Sequence, residues 1–123
     1  MLNRTFVIIV SLVLSACSPV EENPSYDVTT GESVMSNSGH EAYIIETNND
    51  GNYQTQVLIK YSNGQCGTGA VNAAGKDLSL DIKWKNDSTL IITKPANIEL
   101  NLNASGSELK CDKQTVFVVI DNA

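Results

Sequence analysis

The chain has 123 residues, 41% of them hydrophobic and 18% charged, which is enough for one small domain and too little for two. Fourteen acidic residues against eight basic ones give a net charge of −6 and exclude a nucleic-acid binder, whose phosphate contacts need clustered cations. With one His and three Cys, few metal sites or nucleophilic sets can be assembled, and most enzyme classes recede before any motif is read.

The chain opens with a single cation, Arg4, followed by the apolar run Phe6–Leu14. A helix that crosses the hydrocarbon core needs about 20 apolar residues, and this run ends sooner, in small residues and then Pro19, Glu21 and Glu22. Residues 1–16 therefore read as a cleaved signal peptide. The sequence at its end, Leu14-Ser15-Ala16-Cys17, resembles the lipobox of bacterial lipoproteins in every position. That resemblance implies that a diacylglycerol is attached to the Cys17 thiol and that cleavage makes Cys17 the first mature residue. It also implies acylation of the new amino terminus. Each buried methylene contributes roughly 0.8 kcal/mol, so two or three acyl chains would hold the protein at a membrane essentially permanently. Ser18 follows the cysteine, where the family's sorting rule uses Asp for retention in the inner membrane. The resemblance thus implies an outer-membrane anchor facing the periplasm.

From residue 17 to 40 the composition is Ser, Pro, Glu, Asn, Thr and Gly without sustained periodicity, which predicts a flexible tether with a reach of about 26 Å. Tyr26, Val28 and Val34 offer at most a marginal first strand. A single domain is expected over 41–123. Ala42 to Thr47 is its first strand, and Asn48–Asn52 turns the chain into Tyr53–Ser62. There Tyr53, Thr55, Val57, Ile59 and Tyr61 share an inward face, while Gln54, Gln56 and Lys60 mark the wet one. In Asp77–Lys85 the inward residues are Leu78, Leu80, Ile82 and Trp84, with Ser79, Asp81, Lys83 and Lys85 outward. Asn86-Asp87-Ser88 leads into Thr89–Lys94, which Pro95 stops. This hairpin is similar, over about twelve residues, to one found in several small bacterial lipoprotein families with no assigned activity, and it transfers no site. Ile98, Leu100 and Leu102 alternate with Glu99, Asn101 and Asn103 as a further strand. Thr115 to Asp121 is apolar on both faces, as a central strand would be. No helical spacing follows the signal segment, so the expected fold is all-β: a small antiparallel sandwich or partly open barrel of about six strands.

Four features invite chemistry. Cys66 and Cys111 are expected to pair in an oxidising compartment, closing a loop of 45 positions. A reactive Cys66 would need a base, and the only His, His40, lies at the edge of the tether. Glu46, Asn48, Asp50 and Gly51 match the first half of a calcium loop, but its twelfth position is Val57 and the flanks are β-like, so a polar hairpin turn explains them. Gly69 to Lys76 has five residues between its glycines where a phosphate loop has four, and Asp77 stands where that motif needs Ser or Thr; a flexible connection fits better. Trp84 belongs with the core by parity. No metal and no cofactor is expected, and no spacing supplies nucleophile, base and charge stabiliser together, which points away from an enzyme. Only two carboxylates facing across a cleft, roughly 5–10 Å apart, would point to glycan cleavage.

Loss of Arg4 with the signal peptide takes the net charge from −6 to −7. The functional expectation is a lipid-anchored, non-catalytic binding or structural module whose partners are the membrane, through Cys17, and an envelope protein or glycan. The rival is an acidic inhibitor of a basic cell-wall-degrading enzyme, similar in principle to the small acidic lipoproteins that inhibit lysozyme, although none of their signature motifs occurs here.

Overall fold

The structure, a computed structural model, describes residues 26–123. The signal segment, Cys17 and the first part of the tether lie outside the described residues. Nine strands are present among the described residues: β1 (Tyr26–Met35), β2 (Glu41–Asn49), β3 (Asn52–Lys60), β4 (Gly67–Ala74), β5 (Asp81–Asn86), β6 (Thr89–Lys94), β7 (Asn101–Leu102), β8 (Glu108–Cys111) and β9 (Gln114–Asn122). They make two open sheets, one in the order β1-β2-β3-β4-β7 and the other β5-β6-β9-β8. The domain is all-β, as expected, and neither sheet closes into a barrel.

The β2–β3 hairpin follows directly from local chemistry. Its two turn residues, Asp50 and Gly51, have φ of 55° and 89°, the paired left-handed conformation that matches the twist of tightly connected antiparallel strands. The Asn48 side-chain oxygen accepts the Gly51 N–H at 2.8 Å, which completes the turn. The residues that resembled half a calcium loop are thus the hairpin turn and its approach. In β3 the expected parity holds: Thr55, Val57 and Ile59, with Tyr61 just beyond, are buried, whereas Gln54 and Lys60 are exposed.

Four expectations need correction. Within the tether expected over 17–40, where at most a marginal strand is expected at Tyr26, Val28 and Val34, Tyr26–Met35 forms the full strand β1, so the β domain includes these residues as well as 41–123. Its polar composition reflects its place as an edge strand: it is held by main-chain pairing to β2 from Tyr26↔Asn49 to Met35↔Glu41, and Val34 packs against the core. Gly69 to Lys76 is not a flexible connection, because Gly67–Ala74 pairs with β3 as β4. Val57 lies opposite Val71 and Leu58 opposite Gly69, so Ala70 is an extra residue; this bulge lets both Ala70 and Val71 be buried. The strand expected from Asp77 begins at Asp81, since Asp77 and Ser79 adopt φ of 52° and 59°, which extended backbone cannot accommodate. Finally, the sheets are not wholly antiparallel. β9 lies parallel to β6, from Thr89↔Phe117 to Lys94↔Asn122.

Two smaller differences follow from the same topology. Of the run Ile98–Asn103, only Asn101–Leu102 pairs, because the Ile98 N–H is taken by the Pro95 carbonyl in a turn. β9 is central, with β6 and β8 beside it, but it is buried on one face only: Val116 and Val118 are inside, while Phe117 and Val119 are 44% and 41% exposed.

One core lies between the sheets. The five-stranded sheet supplies Ala42, Val57, Ile59, Ala70 and Val71, and the other supplies Ile82, Leu90, Ile92, Leu109, Val116 and Val118. Cys66, just before β4, and Cys111, the last residue of β8, form a disulfide with Cα atoms 6.3 Å apart. The expected pairing is therefore present, and it fastens one sheet to the other.

Candidate functional site

Of the residues singled out in the sequence, Cys17 lies outside the described residues. Cys66 and Cys111 are joined to each other, so neither is a free thiol. His40 is buried and its Nδ1 accepts the Ser62 N–H at 3.1 Å, an arrangement that occupies the lone pair a general base would use. Around it the chain is clamped. The Ser36 N–H donates to the His40 carbonyl at 2.8 Å, the His40 N–H donates to Ser36 Oγ at 3.1 Å, and the His40 ring meets Tyr61 edge-on with centroids 5.7 Å apart. Gly39 has φ of 94°, and a Cβ there would come within 3.2 Å of the Ser62 Cβ, so this turn needs glycine on two counts. Trp84 is half-buried and packs against the core, and its Nε1–H donates to the Val34 carbonyl of β1 at 3.1 Å. These residues hold β1, β3 and β5 together; they bring no reactive group to a cleft.

Carboxylates converge at one place. Glu32, Glu46 and Asp77 line a shallow depression with Ile44, Thr55 and Leu78. Glu46 Oε2 is already engaged there, accepting the Asp77 backbone N–H at 2.9 Å. Among the described residues, no group of three or more His, Cys, Asp or Glu side chains is placed to hold a metal ion.

The most distinctive surface is the outer face of the five-stranded sheet. Strand register aligns Thr30, Ile45, Gln56, Asn72 and Asn101 as successive partners across all five strands. At the usual strand spacing of about 4.8 Å, this row is about 19 Å long. The next row is Val28, Thr47, Gln54 and Ala74, and beyond it Asn49 faces Asn52. None of these outward side chains carries a charge. Two depressions interrupt the face, one of about 360 Å³ bounded by Val28, Thr47, Asn49 and Gln54, the other of about 100 Å³ bounded by Asn72, Asn101 and Asn103; Gln56 borders both. Asn101 Nδ2 donates to Asn72 Oδ1 at 3.3 Å, and Asn103 Nδ2 to the Gly69 carbonyl at 2.7 Å, so β7 is fixed to β4 by side chains as well as by the ladder. Among the described residues, the amides of Gln54 and Gln56 have no side-chain hydrogen bond and are free to meet a ligand.

A primary carboxamide offers two N–H donors and an oxygen with two lone pairs in one plane, without a formal charge. An array of them can hold an uncharged, hydrogen-bonding ligand and sets no formal charge against it. The sequence marked Gln54 and Gln56 as wet but did not bring them to Asn72 and Asn101. Asn72 sits on the strand read as a connection, and Asn101 joins the row only through the crossover that places β7 beside β4. Compared with family models, curated proteins and solved structures, the chain matches none.

Proposed function

We propose that this chain is a small envelope lipoprotein, anchored at an outer membrane through an acylated Cys17 and facing the periplasm, which acts as a non-catalytic binding module. The anchor rests on the Leu14-Ser15-Ala16-Cys17 sequence behind a short apolar segment. The binding role rests on one observation, the three adjacent rows of uncharged, carboxamide-rich side chains on the outer face of the five-stranded sheet. The same reading takes the two sheets as a sandwich, because each keeps two free edges and they share one core.

The test is photocrosslinking in the native envelope from two positions, Gln54 on the carboxamide face and Lys85 on the other sheet. An envelope component should be captured from Gln54 and not from Lys85. Capture from neither position, with an unaltered envelope in a deletion strain, would overturn the binding role. Labelled palmitate should enter the wild type and not Cys17→Ser; a wild type without label would overturn the anchor.

The acidic-inhibitor reading is retained as the second, on the overall charge and on the gathering of Glu32, Glu46 and Asp77 around one depression that a basic side chain of a wall-degrading enzyme could enter. Inhibition of that kind weakens steeply as salt rises from low to physiological strength, whereas binding by uncharged amides does not.

A further inference from the structure

We propose that the ligand of the carboxamide face is an uncharged glycan chain laid across the strands, along the row from Thr30 to Asn101. This rests on the binding-module reading above and names its ligand class. The chain is 18% charged, and charged residues concentrate on solvent-facing positions, so the eleven outward residues of the three rows would carry about two charges or more by composition alone. They carry none: Val28, Thr30, Ile45, Thr47, Asn49, Asn52, Gln54, Gln56, Asn72, Ala74 and Asn101 are all neutral, and charge returns to this face two rows further along, where Glu41 lies opposite Lys60. The complementary partner is itself uncharged. Nucleic acids and acidic polymers need clustered cations, which these rows lack. A protein partner would seek a desolvated aromatic or Arg anchor; none of the eleven residues is one, and Tyr43, the aromatic of the next row, stands opposite Leu58 outside them.

A neutral polyhydroxyl chain meets each condition. Every sugar hydroxyl both donates and accepts, and a planar carboxamide sets N–H and C=O side by side, so one amide can pair with two adjacent hydroxyls. Val28, Ile45 and Ala74 lie in the same rows as the amides and offer apolar contact to the C–H faces of the rings. The face is open and runs about 19 Å along the row, the form suited to a chain and not to a small molecule, which a pocket would enclose.

The test uses the full-length protein in detergent micelles. Its mobility is measured by affinity electrophoresis in gels containing dextran, hydroxyethylcellulose or neutral N-acetylated chitooligosaccharide coupled to the matrix, with polygalacturonate as the charged comparison. At least one neutral polymer should retard the protein, equally at low and physiological salt, and polygalacturonate should not. Gln56→Glu and Asn72→Asp, which keep the shape and place a charge on the face, should each weaken retardation about tenfold. Lys85→Ala on the other sheet should leave it unchanged. Should either acidic variant fail to fold by circular dichroism, Asn101→Ala, exposed on the short edge strand β7, should still weaken retardation severalfold. Retention that survives all three face substitutions overturns the proposal. If no neutral polymer is retained while crosslinking from Gln54 still captures an envelope component, the glycan falls and the binding module stands; if both fail, both readings fall.

Discussion

Removing the Cys66–Cys111 bond should cost the domain about 4 kcal/mol. The bond closes a loop of 45 positions, and the chain-entropy relation, a fixed closure term plus one growing as the logarithm of loop length, gives that value at room temperature. Domains of this size are stable by about 5–15 kcal/mol, so most of the margin of a weak one would go. The thermal midpoint should fall by about 20 °C. Placement sharpens the expectation: Cys66 precedes β4 in one sheet and Cys111 ends β8 in the other, so the bond limits how far the two sheets can separate after unfolding. The slope of free energy against urea should therefore be steeper without it, because the unfolded chain exposes more surface. The single Trp, Trp84, reports the transition, since it packs on the core and donates across the sheets to Val34. Urea unfolding of the wild type and the Cys66→Ala/Cys111→Ala variant, followed by its fluorescence, measures the difference. A loss below about 1 kcal/mol with an unchanged slope would refute the reasoning, by showing that contacts between the sheets already restrain the unfolded chain as the bond does.

Leu90→Ala, at a position with no exposure, should lose about 2–5 kcal/mol through the cavity it leaves among both sheets; urea midpoints measure this directly. Tyr61→Phe should cost little or stabilise, because the buried Tyr61 hydroxyl has no hydrogen-bond partner among the described residues, so its removal leaves none of them unsatisfied. Burial also raises the Tyr61 phenol above its ordinary 10.0, so between that value and the raised one the folded state keeps a proton the unfolded chain has released. Stability is then intact below pH 10 and falls as pH rises beyond it, a loss that Tyr61→Phe should flatten in unfolding curves taken across that window. Trp84→Phe keeps aromatic packing and loses the donor to the Val34 carbonyl, which should cost about 1 kcal/mol and raise amide exchange along β1 before the other strands.

What could be read from the sequence was whatever is written locally. The β2–β3 hairpin is legible in Asn48-Asn49-Asp50-Gly51, and β6 has the bounds that Thr89 and Pro95 set, because turn chemistry and alternation act over a few residues. β1 was illegible for a physical reason: an edge strand paired on one side, with Val34 as its contact with the core, needs no apolar alternation. β4 was hidden by its small residues, which suit a bulged strand pressed against the core but look like a loop in isolation. The carboxamide row depends on pairings between residues as distant as Thr30 and Asn101, and no local pattern records that order. The disulfide was legible from cysteine count alone, although that it joins the two sheets was not.

The parallel pairing of β6 with β9 bears on how the domain is made. The strand that fills the gap between β6 and β8 is the last of the nine to leave the ribosome, so a nascent chain ending before Gln114 presents both of those neighbours as open edges. Val116 and Val118 would be missing from the core at the same time. Stalled or truncated products should therefore be recruited by holding chaperones and cleared by proteolysis, and fusion at residue 123 should begin with a flexible spacer so that Gln114–Asn122 can slot home unhindered.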